Sequence, residues 1–208
     1  MSLIPIIGPS VLAETVSFFG STTSTSNSIN LPASIEAGDL IILQEYGAGA
    51  SPPSDQTPTG FTQIITATVS VIRHSISYKI SDGTDGGATV NTGLNGASVN
   101  AKIASVFRCD VPINSINLSA VANETIAGNP GTATAAASGG NVPLVVFGFS
   151  VRDGSGSPTL TPSEDASITA STAATFYKIY NSSPMDHDLD MGDTGAFNSL
   201  IAFYAELS

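Results

Sequence analysis

The sequence predicts an all-β chain, folded as a jelly-roll-like antiparallel β-sandwich built from two related halves. Three observations lead there. β-branched and aromatic residues fall in short runs separated by clusters of Gly, Pro, Asn, Asp and Ser, as strands joined by turns do. The apolar spacing of an amphipathic helix is nearly absent. Several strand residues also return in the same order about 100 residues further on.

The strand runs of the first half begin with ETVSFF (14–19) and NSINLP (27–32), followed by DLIILQEY (39–46). The Pro- and Gly-rich stretch 47–60 then breaks the pattern. TQIITATV (62–69) and VIRHSISYKI (71–80) come next, and the turn formers of SDGTDGGA (81–88) end them. ATVNT (88–92), VNAKIASVFR (99–108) and INSINLSAV (113–121) complete this part. Beyond 127–140, whose Gly and Ala content suits a crossover loop over the surface, lie NVPLVVFGFSV (141–151), TLTP (159–162), SITAST (167–172), ATFYKIY (174–180) and NSLIAFYAEL (198–207).

Alternation in VIRHSISYKI places Ile72, His74, Ile76 and Tyr78 on one face, and Arg73, Ser75, Ser77 and Lys79 on the other. His74 is therefore expected in the core. The tripeptide Tyr78-Lys79-Ile80 returns as Tyr177-Lys178-Ile179, 99 residues on. Leu40 aligns with Leu144 and Ile64 with Ile168, both 104 apart, and Ile103-Ala104 with Ile201-Ala202, 98 apart. A drift of this kind with conserved order is what loop deletions leave in a duplicated scaffold. The expected organisation is one sandwich domain over 1–208: an arm and first strand in 1–26, a first half in 27–126, the crossover at 127–140 and a second half in 141–208.

Composition narrows the function. Charged residues are only 11% of 208, against roughly 25% in ordinary soluble domains. A surface of Ser, Thr, Gly, Ala and Asn loses little on desolvation and suits packing against copies or partners. Six basic residues scattered in a chain of net charge −11 do not form the cluster that displaces counterions from phosphates, so no nucleic-acid partner is expected. The single Cys109 leaves no internal disulfide and reads as a buried or strand-end thiol. The apolar start MSLIPIIGPSV lacks a basic leader and is interrupted by Pro5 and Pro9, so neither an export signal nor a membrane span is expected. Synthesis in a cytoplasm follows as the expectation.

Catalytic machinery is not expected either. No phosphate loop, nucleophile elbow or Cys/His metal set is present, and the acids carry no pairing signal. Asp186, Asp188 and Asp190 alternate in DHDLDMGD and could face a Ca²⁺ ion from an extended segment, but the EF-hand pattern is only partly met, and a solvated acidic loop is the simpler reading. No cofactor is otherwise expected.

LPASIEAGDLIIL, PPSDQTPTGFTQI and SYKISDGTDGG together resemble a family of small virion proteins of tailed bacteriophages. There a Gly-Asp-led strand, a Pro-x-Gly-aromatic-Thr segment and a Tyr-Lys before a Gly-rich turn recur in this order. The resemblance covers residues 27–110; the second half echoes it, with LTPSEDASI in place of the Pro-Gly-aromatic element. Phe61 stands where the family often has Trp. The resemblance implies a jelly-roll-like virion component without an active site, in head or tail.

The expected role is a capsid decoration or cement protein on the outer head surface, bridging major capsid subunits and associating with copies of itself. Ile4, Pro5, Ile6 and Ile7 are the candidate contacts. The alternative is a tail-associated host-recognition module binding glycan, with Tyr46, Phe61 and Tyr180 as exposed aromatic platforms.

Overall fold

A computed structural model describes the backbone of residues 15–50, 54, 57–69, 72–92, 94, 97, 99–110, 113, 116–124, 132–135, 144–152, 159–161, 165–170, 173–181, 189–192 and 197–207. Side chains are described for 15–50, 54, 57–68, 72–92, 94, 97, 100–110, 113, 165–170 and 173–181. Among these residues every regular element is a strand. They are β1 (Val16–Ser24), β2 (Ser28–Asn30), β3 (Ala37–Ala48), β4 (Thr62–Val69), β5 (Ile72–Asp82), β6 (Thr89–Asn91), β7 (Val99–Cys109) and β8 (Ile116–Glu124). The rest are β9 (Thr132–Ala135), β10 (Leu144–Arg152), β11 (Thr159–Thr161), β12 (Ala166–Ala170), β13 (Ala173–Tyr180), β14 (Leu189–Gly192) and β15 (Phe197–Leu207).

All pairings are antiparallel and build two five-stranded sheets, β1-β7-β3-β5-β4 and β8-β15-β10-β13-β12. The two orders are the same order. In each sheet the first strand lies beside the last, and the hairpin carrying the Tyr-Lys-Ile segment closes the far edge. A small sheet accompanies each: β2-β6 in the first half and β9-β14-β11 in the second.

Register carries the duplication to single residues. Tyr78 faces Thr62, and Tyr177 faces Ala166. Leu40 stands between Ile80 and Phe107, as Val145 stands between Ile179 and Ala205. The counterpart of Leu40 is thus Val145 rather than Leu144, a distinction that matters because one step along a strand exchanges the two faces. Ile65 opposes Ile76 as Ile168 opposes Thr175, and Ile64 is the extra residue of a bulge. The division between halves falls between β7 and β8, not at 127–140, because β8 pairs with β15 of the second sheet. Within that supposed crossover loop, Thr132–Ala135 forms β9 and pairs with β14.

The two large sheets pack face to face. Leu40, Ile42, Tyr46, Ile76, Ala101, Ile103 and Phe107 of the first share a core with Ala170, Ala173 and Tyr177 of the second. At its centre Tyr177 stacks on Phe18 at 4.8 Å between ring centroids and meets the Phe107 edge at 5.4 Å. Polar ties cross the same seam: Thr175 Oγ1 donates to Gln44 Oε1, and Asn181 exchanges hydrogen bonds with the backbone of Val16 at 2.8 and 2.9 Å. His74 lies fully buried on β5 opposite Tyr46, as its place in the alternation requires.

The other face of the first sheet is covered by β2 and β6. Ile41, Leu43, Ala104 and Val106 pack there with Ile29, Leu31 and Ile35. Burial on both faces explains why β3 reads as a continuous apolar run rather than an alternating one. Beside this apolar patch Glu45 and Lys102 stand opposite each other in register, 1% and 0% exposed. Burial lowers the Lys102 pKa, and the Glu45 carboxylate works against that shift.

β1 extends through Gly20-Ser21-Thr22-Thr23-Ser24, where no apolar pattern announces a strand. Pairing with β7 holds it, and the Thr22 and Ser24 hydroxyls donate to the Asn30 and Ser28 carbonyls at 2.6 and 2.7 Å. A bulge at Phe19 turns that ring outward over the Arg108 guanidinium, 4.2 Å from its centroid.

Candidate cleft beside Phe61

The site grows from an anchored loop. Arg108 at the end of β7 grips Asp39 with two parallel hydrogen bonds of 2.9 and 2.8 Å, and reaches Glu36 and the Ser34 carbonyl at 3.0 Å each. These bonds, with that to Asp39 foremost, raise the Arg108 pKa above its already high value. Residues 34–39 are thereby held against the sheet.

On this loop rests the turn after β5. Asp82 accepts from the Thr84 amide and hydroxyl at 2.9 and 2.6 Å, which lowers its pKa. The Gly87 amide donates to the Pro32 carbonyl at 3.0 Å. Gly86 approaches Ser34 so closely that a Cβ would lie 3.2 Å from its backbone nitrogen, and Gly83 and Gly87 take φ of 91° and 69°. This geometry puts Asp85, 8% exposed, within reach of Lys79, whose Nζ donates to Asp85 Oδ1 at 2.5 Å.

Phe61 arrives from the opposite side. Gly60 takes φ of 85° and the Phe61 amide donates to the Pro58 carbonyl at 3.0 Å, closing a turn directly before β4. The half-buried ring packs on the β2-β6 core with Val90. Together Phe61, Lys79, Asp85, Thr59, Thr89 and Asn91 line a cleft of about 230 Å³. One aromatic face, one balanced ion pair, hydroxyls and an amide therefore converge on one concavity.

Of the three aromatic candidates, only Phe61 lines it. Tyr46 is 7% exposed and belongs to the inter-sheet core, because it shares the inward face with Leu40 and Ile42; it is not a surface platform. Tyr180 ends β13 in the other sheet, with its ring 5.8 Å from Lys178 Nζ. Burial and then Asp165 raise its phenol pKa. Ile4, Pro5, Ile6, Ile7, Asp186 and Asp188 lie outside the described residues. Asp190 lies in β14, in register with Thr134 and Thr161, so its backbone belongs to a paired strand rather than a loop. Among the described residues no three His, Cys, Asp or Glu side chains gather as a metal site.

The recurrence of Tyr-Lys-Ile singles out Lys79 in the sequence, whereas no motif there marks Asp85 or Asn91 as site residues. Asp85 lies in the turn SDGTDGG, which announces a reversal but not what it carries back to the sheet, and Asn91 lies in the strand run ATVNT. Compared with protein-family models, curated proteins and solved structures, the chain matches none.

Proposed function

We propose that the chain is a structural protein of a tailed-bacteriophage virion: a decoration or cement protein on the outer capsid surface that bridges major capsid subunits and associates with copies of itself. The observation that carries this reading is the internal duplication. Two sheets of identical order are joined face to face by an aromatic seam and a buried polar tie, and a small sheet accompanies each. Such a body suits a bridge between like neighbours, and its low charge keeps the desolvation of a contact small. Jelly-roll connectivity in each half belongs to the same reading. It is supported by β1-β7-β3-β5 beside β2-β6, and by β8-β15-β10-β13 beside β9-β14-β11.

The test is the copy number of this chain in purified virions, by quantitative mass spectrometry against the major capsid protein. A number comparable to that protein is expected. A number near that of tail components would replace decoration with a tail-associated role, and absence from virions would overturn both. For the arm, deletion of residues 1–12 is expected to abolish binding to capsids; unchanged binding would remove Ile4–Ile7 as the contact.

A further inference from the structure

We propose that the Phe61 cleft binds a single neutral sugar ring, and that each chain has one such site. This goes beyond the decoration role and does not depend on it.

The chemistry of the walls selects the ligand. Lys79 and Asp85 cancel each other's charge, with side chains only 21% and 11% exposed, so neither a cation nor an anion gains from entering. A lysine ammonium has three N–H donors, and Asp85 takes one. The others, with the Thr59 hydroxyl and the Asn91 amide, call for a ligand that offers acceptors and donors side by side. Vicinal hydroxyls do this. The uncovered part of the Phe61 ring supplies the apolar surface on which the C–H face of a pyranose packs. At about 230 Å³ the cleft falls below the roughly 300–1,000 Å³ of sites for drug-sized ligands, which limits it to about one ring.

Among the described residues, the second half fills the equivalent position differently. Asp165 directly precedes β12, as Phe61 precedes β4. Its carboxylate accepts from Lys178 Nζ at 3.1 Å and from the Ile179 amide at 2.9 Å. An acid thus stands where the aromatic platform would be and engages the equivalent lysine itself.

The experiment is a titration of isotope-labelled protein with methyl glycosides of glucose, galactose, mannose and N-acetylglucosamine, followed by amide chemical shifts. At least one is expected to give saturable shifts confined to residues 59–61, 79 and 85–91, with dissociation constants in the millimolar range. Phe61→Ala is expected to weaken binding about tenfold. Because Phe61 also packs on the core, Asn91→Ala, at an exposed position, provides a second variant: weaker binding with an otherwise unchanged spectrum is expected. Glucosamine and glucuronate are expected to bind more weakly than glucose. No saturable shift with any glycoside, tighter binding of a charged sugar, equal shifts around Asp165 and Lys178, or unweakened binding by Asn91→Ala and Phe61→Ala would overturn the proposal.

Discussion

The two copies of Tyr-Lys-Ile occupy equivalent strands in equivalent register, yet their lysines are held differently. Lys79 is tied to Asp85, which comes from the turn after its own strand; Lys178 is tied to Asp165, which comes from the residue before the neighbouring strand. The tyrosines differ as well. Tyr177 is 6% exposed in the centre of the inter-sheet aromatic cluster, whereas Tyr78 is only partly buried at its margin. Duplication has preserved what backbone pairing needs and allowed the outward side to diverge. The divergence changes the surface: Phe61 lines a cleft at one copy of the position, and Asp165 binds the equivalent lysine at the other.

The sharpest way to break this comparison is to truncate both tyrosines. Tyr177→Ala is expected to destabilise the fold by about 3–5 kcal/mol, as loss of a buried aromatic does. Tyr78→Ala should lose clearly less, because less of its ring is buried. Urea denaturation measures both, and equal losses would mean that the two halves share the core evenly.

The buried pair Glu45 and Lys102 tests the first sheet alone. Lys102 Nζ is buried without a hydrogen-bond partner, and Glu45→Gln removes the carboxylate that opposes the fall of its pKa, so this variant is expected to be destabilised at neutral pH. Lys102→Met is expected to be neutral or stabilising. The pH dependence has a definite sign. Below the lowered pKa of Lys102 both the folded and unfolded chains bind the proton. Between that pKa and the ordinary 10.5 only the unfolded chain keeps it, so this group makes stability rise with pH across the window. The rise should be visible in urea midpoints from neutral to alkaline pH and should vanish in Lys102→Met; a rise that persists would assign it to another group.

The smallest effect is expected at the second ion pair. Lys178 and Asp165 are 26% and 42% exposed at the side chain, so Lys178→Ala should change stability by about 1 kcal/mol or less and lose what effect it has in high salt. Asp165→Ala should cost more than Lys178→Ala, because Asp165 also holds the Ile179 amide. A double-mutant cycle separates the two contributions.

Much of this was legible along the chain. Strand runs such as TQIITATV coincide with β4, and the alternation in VIRHSISYKI by itself puts His74 and Ile76 on the core face, where both are buried. The strands without a pattern of their own, β9 and β14, are short, and β9 consists of Thr and Ala only. Their pairing partner, rather than any pattern of their own, makes them strands. Tyr46 shows the opposite failure. An aromatic at the end of an apolar run reads equally well as platform or core until the strand's neighbours are known.

The sequence by itself determined the all-β class, most strand positions and the existence of the repeat, because period-two patterning, turn residues and recurrence are local or one-dimensional properties. Only the tertiary structure decided the residue-level alignment of the halves, the boundary after β7 and the meeting of Phe61 with Lys79 and Asp85. Those depend on strand register and on which loop packs against which. Such choices are made by long-range burial and hydrogen bonding, as when Arg108 draws Asp39 across 69 residues to support the turn that carries Asp85.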